Sequence, residues 1–351
     1  AAAGLGTIEI KAMTDHGYSK EFAVGVTAAS ATVGPIIPPS LPFVIYGMMA
    51  SVSIGQLFLA GVIPGIIMGI TMMLTVAYFA HTRNYGRDAP FSASKLLKAG
   101  LEVAMVLGIP YGAWLLTGLG APGGWVTLAA FGLILALDKV FNFSAVMALL
   151  TPVRLIGGMT LGVFTPTEGA IAASIWALFL GLFWYRTLDW RRLVKLTMDT
   201  IETTATVLFI VAAASIFGWL LTVTRVTDAV AEWVLAFTSN PNMFLLLANL
   251  LLLFVGCFLE PTAAITLLVP ILMPICLKLG IDPVHFGLIM VLNLMIGLLH
   301  PPMGMVLFVL ARVSGLSFER TTIAILPWLV PLLVSLVIIT YLPTLVLWLP
   351  K

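Results

Sequence analysis

Long runs of apolar residues without a charged side chain make up most of this chain. They cover residues 22–82, 103–137, 203–224, 233–259, 283–311 and 321–350. Each run is long enough for at least one membrane helix, which needs roughly 20 apolar residues. Alternation of apolar and polar residues with a period of two, the pattern of an outer-membrane barrel, is absent. The pattern therefore predicts an all-α polytopic membrane protein.

The composition excludes the soluble classes of protein. Of the 351 residues, 61% are hydrophobic and 9% are charged, whereas a soluble domain has roughly 25% charged residues. Such a chain cannot cover a water-facing surface, so a soluble enzyme, a nucleic-acid-binding protein and a disordered protein are excluded. The net charge of +2 is too small to indicate a partner other than the lipid bilayer.

The charged residues predict the orientation in the membrane, because basic residues in short loops mark the cytoplasmic side. The stretches 81–98 and 186–195 are basic and are expected to be cytoplasmic loops. The stretches 225–240 and 278–285 are balanced or acidic and are expected to be external. The stretch 11–21 carries both signs, and its side is left open by its own charges.

Glycines and prolines recur at a fixed offset of 263 residues. The first set is Gly17, Gly34, Pro38-Pro39 and Pro64, and the second is Gly280, Gly297, Pro301-Pro302 and Pro327. With the orientation above, the first copy enters its span from the cytoplasm and the second from outside. The sequence therefore predicts inverted-topology repeats with discontinuous helices, an architecture found in many secondary transporters.

The repeat divides the chain into three predicted parts. Residues 1–80 are the remainder of the first repeat, with the back half of a hairpin, a broken helix and the following span. Residues 81–199 are the cytoplasmic basic loop and connecting scaffold helices, with an extra span. Residues 200–351 are the second repeat: a helix, a re-entrant hairpin over 241–277, a broken helix over 285–313 and a last span. The offset maps Ala264 onto Ala1, so the chain is expected to begin inside the first hairpin.

Prolines interrupt the long apolar run 22–52 near its centre, and the same pattern returns at 297–302. A proline inside a helix costs roughly 3 kcal/mol or more, because it removes a backbone donor and clashes with the preceding turn. The freed carbonyls must face protein or a polar cavity rather than lipid. Unwound carbonyls suit a small cation, and helix N-termini suit an anion. We expect paired ion or substrate sites at the breaks, the alternative being prolines that only shape packing.

A few polar residues lie within or beside these apolar runs. Glu260 and Thr262 interrupt one run, and a carboxylate at membrane depth indicates function unless it lies in an interfacial loop. Ser30 and Asn293 precede the two breaks at equivalent positions, where each either faces a cavity or packs ordinarily. Arg225 ends an apolar run and either extends to the interface or binds a carboxylate.

Two further observations complete the survey of polar residues. Glu168 follows Pro166 and is typical of the first turn of a helix. The sequence contains no catalytic triad, HExxH motif or phosphate-binding loop, so the chain is not expected to be an enzyme.

Several ordered motifs resemble the large membrane subunit of tripartite ATP-independent periplasmic (TRAP) transporters. They lie at residues 27–30, 34–40, 53–61, 164–168, 261–264, 282–287 and 297–302. The resemblance extends over residues 1–100 and 160–351. It implies sodium-driven, elevator-type import of an organic-acid anion, either a dicarboxylate or a sialic-acid-like carboxylate, across the bacterial inner membrane. It also implies two partners: a periplasmic substrate-binding protein and a small membrane subunit, separate or fused.

The resemblance also implies site residues. Backbone carbonyls of Gly34, Ile37 and Pro39 would bind one Na⁺. By the repeat symmetry, a second Na⁺ site would comprise Gly297, His300 and Pro302 with Glu260 and Thr262. Substrate or cavity residues would be Ser30, Ser40, Asn293 and Arg225, the last binding the substrate carboxylate.

The sequence departs from the family pattern in three places. His300 stands where the family usually has Thr, which puts the second ion site in doubt. Glu260 stands where the family usually has Asp. The region 101–160 is longer than usual by about one membrane span.

Three other functions remain open at this point. One is a binding-protein-independent symporter of sodium and divalent anions, and another is a channel. The third is an intramembrane enzyme, for which Glu260 is the only catalytic candidate. Dependence of uptake on sodium and on a binding protein separates the symporter from the TRAP transporter. Saturable, coupled flux and elevator-type motion would argue against a channel, and the enzyme would need a catalytic pair at membrane depth.

Overall fold

The computed structural model describes residues 4–83, 85, 92–118, 129, 132–133, 165–184 and 186–350. No β-strand occurs among these residues. The first helices are α1 (Gly4–Asp15), α2 (Lys20–Val33), α3 (Leu41–Ala50), α4 (Ile54–Thr82), α5 (Ala93–Gly118) and α6 (Pro166–Phe179). They are followed by α7 (Trp190–Val223), α8 (Val226–Phe237), α9 (Pro241–Gly256), α10 (Pro261–Lys278) and α11 (Pro283–Gly297). The last are α12 (Met305–Ser314), α13 (Phe318–Tyr341) and α14 (Pro343–Leu347).

The chain forms two compact units. One contains residues 1–85 and 190–351, and the other contains residues 86–189. In the described part, α4, α10 and α13 are long and apolar enough to cross a membrane. The all-helical, apolar character predicted from the sequence is therefore present.

Each proline cluster separates two helices of the first unit. Residues 34–40 lie between α2 and α3, and residues 298–304 lie between α11 and α12. Helix α2 ends at Val33. Gly34 still has helical backbone angles, φ −52° and ψ −50°, but Pro35 has no amide hydrogen with which to continue the helix. The helix resumes where Ser40 caps α3, its hydroxyl accepting from the Phe43 amide at 3.4 Å. The Pro38-Pro39 and Pro301-Pro302 peptide bonds are both cis.

Helices α1 to α4 recur in the same order as α10 to α13. The starts of α2 and α11 are 263 residues apart, but the starts of α4 and α13 are 264 apart. The starts of α3 and α12 are also 264 apart, so one additional residue lies within the second break, after Pro302. The predicted equivalence of Pro64 and Pro327 is wrong by one residue, and Trp328 is the counterpart of Pro64. Thr71 and Ser335, also 264 apart, are hydrogen-bonded to each other at 2.9 Å.

Helix α13 is the packing centre of the first unit, where it contacts α2, α4 and α11. Its Trp328 is 2% exposed and packs on Gly25 of α2, where an added Cβ would overlap the indole. Helices α1 and α10 pack crosswise, since α10 contacts α3 and α1 contacts α12. Each of them therefore lies against the second half of the other broken helix.

Two charged stretches, one predicted to be a cytoplasmic loop and one predicted to be external, are largely helical. Helix α7 begins at Trp190, so most of the basic stretch 186–195 is its first turns, and the two compact units divide the chain between residues 189 and 190. Helix α8 occupies most of 225–240. Charge marks the aqueous side of a span, but Arg, Lys and Glu are good helix formers and do not end a helix. The predicted extra span within 101–160 lies mostly outside the described residues, beyond the end of α5.

The second unit contains the helix start that Glu168 predicts. The Glu168 amide donates to the Thr165 hydroxyl at 3.3 Å, and the Glu168 carboxylate accepts from the Thr165 amide at 2.7 Å. This reciprocal pair satisfies two amides that a helix start leaves without partners. The prediction of a structural role for Glu168 is confirmed.

Candidate functional site at the two helix breaks

A cavity of about 450 Å³ lies beside the first break. Its polar lining comes from α1, α2 and the break: Glu9, Thr27, Ser30, Gly34, Pro39 and Ser40. The structure thus brings together four of the residues expected from the sequence. They meet because the chain leaves α2 at Gly34 and returns to a helix at Ser40, so both helix ends and the segment between them border one space.

The first break leaves carbonyl oxygens available. The amides of Ile36 and Ile37 donate back to the Val33 carbonyl at 3.0 and 3.2 Å. Within the described part of the chain, no donor bonds to the carbonyls of Gly34, Ile37 or Pro39. All three residues are exposed, so their oxygens are free to bind a cation or water. Sodium, a hard cation, prefers such oxygen ligands, as Ca²⁺ and Mg²⁺ do.

Two cavity residues are missed by the sequence reasoning. Thr27 is 3% exposed, and its hydroxyl has no hydrogen-bond partner, which is costly for a buried polar group. Its carbonyl, in contrast, accepts from the Ser30 hydroxyl at 3.1 Å. Glu9 lines the cavity from α1. The spacing of three residues between Thr27 and Ser30 places them on one helix face, and that signal could have identified Thr27.

The second break is packed against the tip of the hairpin formed by α9 and α10. A Cβ added to Gly297 would lie 2.6 Å from the Gly256 backbone. Because neither glycine has a side chain, the hairpin tip and the end of α11 can pack directly against each other. The Cys257 Sγ lies 3.4 Å from His300 Nδ1. The carbonyls of Gly297 and His300 accept from the amides of His300 and Gly304 at 3.0 and 3.2 Å. This break is therefore more internally bonded than the first.

Glu260 caps the start of α10 at this tip. Its carboxylate accepts from the Ala263 amide at 3.1 Å and from the Thr262 hydroxyl at 2.9 Å. Thr262 is buried, whereas Glu260 is exposed. His300 Nδ1 donates to the Pro301 carbonyl at 2.6 Å, so its ring is held against its own break. The tip lies beside the break, but these polar groups already have partners, and a second ion site here stays a prediction.

The structure does not bring Asn293 or Arg225 to a described cavity. Asn293 is fully buried, and its Nδ2 donates to Asn249 Oδ1 at 2.6 Å and to the Ile289 carbonyl at 2.8 Å. Helix α9 covers this face of α11, which explains why the equivalent Ser30 lines a cavity and Asn293 does not. Arg225 is exposed at the junction of α7 and α8, with a left-handed φ of 54°.

We expect Asn293→Leu to destabilise the protein by about 1–3 kcal/mol, because it leaves the Asn249 oxygen buried without its donor. Asn249 also donates to Thr340 Oγ1 at 3.1 Å, so the network joins α9, α11 and α13. The double variant Asn249→Leu/Asn293→Leu should lose less stability than the sum of the losses in the two single variants. Thermal unfolding midpoints in detergent measure this, and additive losses would contradict the coupling.

The two broken helices begin at opposite ends of α13. Ser19, at the start of α2, bonds the Tyr85 hydroxyl at 2.9 Å, and Phe22 contacts Trp328 edge-on at 5.6 Å, in the first half of α13. His285, at the start of α11, donates to the Ile339 carbonyl at 2.9 Å, near the end of α13. Helix α2 therefore starts beside the first half of α13, and α11 starts beside its last turns.

Comparison with known proteins gives one consistent set of relatives. The family described as "Tripartite ATP-independent periplasmic transporter, DctM component" matches residues 1–345. The sialic acid TRAP transporter large permease protein SiaM of Vibrio cholerae is 40% identical over 350 residues, 100% of this chain and 72% of the relative. The C4-dicarboxylate TRAP transporter large permease protein DctM of Pseudomonas aeruginosa is 36% identical, over 99% of this chain and 72% of the relative. The sialic acid TRAP transporter permease protein SiaT of Haemophilus influenzae is 34% identical, over 100% of this chain and 50% of the relative.

Proposed function

The chain belongs to the DctM component family of tripartite ATP-independent periplasmic transporters, and on this premise we propose that it performs sodium-coupled import of a carboxylate across the bacterial inner membrane. It is a transporter permease subunit and not an enzyme. The observation that carries the proposal is the open first break, which has three carbonyls without a hydrogen-bond donor. Two of the residues that carry them, Gly34 and Pro39, line a cavity that also presents hydroxyl groups.

The proposed substrate is an organic acid, either sialic-acid-like or a dicarboxylate. The names of the relatives above include sialic acid and C4-dicarboxylates, which share a carboxylate. In the cavity, the hydroxyls of Thr27, Ser30 and Ser40 can donate to carboxylate oxygens. Arg225 is the proposed partner of the substrate carboxylate on the family resemblance, and a guanidinium suits bidentate carboxylate binding.

The proposed coupling ions are two or more Na⁺. The carbonyls of Gly34, Ile37 and Pro39 would hold one of them. Residues at the second break and hairpin tip would hold another: Gly297, His300, Pro302, Glu260 and Thr262. When bound, the ion supplies positive charge that favours an anionic substrate nearby, and its gradient drives uptake. The His300 imidazole, which is turned toward its own break, would contribute less to Na⁺ binding than a hydroxyl would. The ion site at the first break is therefore expected to bind Na⁺ more tightly than the site at the second break.

An elevator-type movement of inverted repeats is the proposed mechanism. It is supported by the opposite starts of α2 and α11 along α13 and by the crosswise packing of α1 and α10. The two breaks would move together, since each of these two helices contacts the other repeat. The proposed partners are a periplasmic substrate-binding protein, which delivers the acid, and a small membrane subunit.

We expect uptake of labelled sialic acid or a C4-dicarboxylate only when an inward sodium gradient and the cognate binding protein are both present. The full-length protein and its small subunit, reconstituted in vesicles, provide the assay, and replacing sodium by potassium is the control. Uptake at the full rate without sodium and without the binding protein would contradict the proposal and favour a channel. Sodium-driven uptake without the binding protein would favour the simpler symporter.

A further inference from the structure

A second cavity, of about 510 Å³, lies between the start of α2, the end of α4 and the start of α13. Its polar side is formed by Ser19, Glu21, Arg83 and Arg320. Its apolar side is formed mainly by Phe22, Phe79, Ile323 and Trp328. None of the residues proposed for transport lines it. A space that is cationic on one side and aromatic on the other suits an amphiphilic anion.

The arginines present their guanidinium groups to this cavity from two different helix ends. The Arg83 guanidinium lies 4.7 Å from the centroid of the Phe79 ring and donates to the Ser19 hydroxyl at 3.5 Å. Arg320 lies in the first turn of α13, which Ser317 caps by accepting from the Arg320 amide at 3.3 Å. Both arginines are exposed. Within the described part of the chain, no carboxylate forms an ion pair with either guanidinium, and this includes Glu21.

The neighbouring tyrosine indicates that this region favours negative charge. Tyr85 lies outside the membrane helices, and its hydroxyl is 2.9 Å from Ser19 Oγ. Burial raises the pKa of the Tyr85 phenol, but hydrogen bonds from Ser19 and Arg83 and the charge of Arg83 outweigh it, so the pKa is lowered. The Arg83 side chain therefore favours negative charge at the edge of the cavity, where Tyr85 contacts Ser19.

The surroundings place the cavity at the membrane interface on the basic side of the protein. The stretch that follows α4 is one of the two strongly basic stretches, which marks it as cytoplasmic. Five rings, those of Tyr18, Phe22, Phe79, Tyr85 and Trp328, form a contiguous cluster here. Aromatic residues with a polar edge are enriched at the level of lipid head groups.

We propose that this cavity binds the phosphodiester head group of an anionic phospholipid of the cytoplasmic leaflet. Guanidinium groups form charge-assisted, often bidentate bonds with phosphate oxygens, and basic pockets between membrane helices bind anionic head groups. The aromatic side accommodates the glycerol and the start of the acyl chains. A free phosphate offers the same group without the apolar part, so the test must separate the two. The proposal does not depend on transport activity.

Native mass spectrometry of the purified full-length protein tests this site, with phosphatidylglycerol and phosphatidylethanolamine as probes. We expect preferential retention of phosphatidylglycerol, and Arg83→Gln and Arg320→Gln should each weaken it about fivefold, as for one basic residue near an anionic surface. Arg312→Gln is the matched control, since Arg312 is an exposed arginine at the end of α12 that does not line the cavity. Glu21→Gln should strengthen retention, because it removes the carboxylate from the cavity.

Two further measurements separate the source of the phosphate and guard against misfolding. Millimolar inorganic phosphate is expected to leave the lipid bound, and displacement would overturn the assignment to a lipid in favour of free phosphate. Arg83→Lys and Arg320→Lys keep the charge but lose the planar fork of donors, so they should bind more than the Gln variants and less than the unmodified protein, with gel filtration unchanged. Equal retention of the two lipids by the unmodified protein would overturn the site itself. Equal retention of phosphatidylglycerol by the double variant Arg83→Gln/Arg320→Gln and by Arg312→Gln would do the same.

Discussion

Gly61→Ala is expected to raise the sodium concentration needed for half-maximal uptake by about tenfold while the protein stays folded, which corresponds to about 1.4 kcal/mol of ion binding. A Cβ at Gly61 would overlap the carbonyl oxygen of Ile36 and lie 3.0 Å from the Phe43 ring. Ile36 lies within the first break, between Gly34 and Ile37, so the break itself must shift. Binding groups have to be held within about 0.5 Å of their productive positions, and a displaced carbonyl loses its contact.

Gly69→Ala is the matched control for this experiment. Gly69 lies two turns further along α4, and a Cβ there has nothing within 4 Å. The helix gains the same methyl group without a clash, so uptake should keep the sodium dependence of the unmodified protein. The readout is initial uptake in vesicles over a range of sodium concentrations at equal protein content. Unchanged sodium dependence of uptake in Gly61→Ala would show that the packing of the first break against α4 does not control ion binding.

Gly297→Ala is expected to lower the free energy of unfolding by on the order of 3 kcal/mol, which is the upper end of the usual cost of overpacking. The added Cβ would lie 2.6 Å from both Cα and C of Gly256, and backbone atoms cannot rotate away as a flexible side chain can. The hairpin tip and the second break would have to separate, which also disturbs the contact between Cys257 and His300.

The reciprocal variant provides a graded comparison. A Cβ on Gly256 would meet the Gly297 Cα at 3.2 Å and the Leu294 Cα at 3.3 Å, so Gly256→Ala should destabilise less than Gly297→Ala. Gly108→Ala in α5 has open space around it and should be neutral or slightly stabilising, since alanine favours a helix over glycine by about 1 kcal/mol. Thermal unfolding midpoints in detergent give the order. A midpoint for Gly297→Ala equal to that for Gly108→Ala would contradict the close packing.

The two breaks resemble each other in sequence but differ in their surroundings. At the second break, α9 covers α11 through Gly256 and Asn249, and the carbonyls of Gly297 and His300 take part in backbone bonds. At the first break, the equivalent face of α2 is open to the cavity. The proposed ion sites are therefore not equivalent, and the first is the better candidate for direct experiments.

Features that depend only on residues close together along the chain could be predicted from the sequence. Prolines 35, 38 and 39 disrupt the helix because a proline clashes with its own preceding turn, whatever packs outside. Glu168 three residues after Thr165 forms a capping box for the same local reason. The helical conformation of residues 190–195 and of Val226–Phe237 was not predicted, because charge patterns report exposure to water rather than backbone conformation. The one-residue shift after Pro302 was missed because glycine and proline matches carry no information on the helix phase between them.

The sequence by itself determined the membrane class, the two helix breaks and the internal repeat, since apolar content and proline sterics act locally along the chain. Only the tertiary structure decided what each equivalent position contacts: Ser30 borders a cavity, whereas Asn293 bonds Asn249 inside the bundle. It also decided that Arg83 and Arg320, far apart in the chain, line one cavity. The physical reason is that a side chain's neighbours are set by which helices pack together, and that choice depends on the shapes of distant faces, such as the glycines that let α4 approach the first break and α9 approach the second.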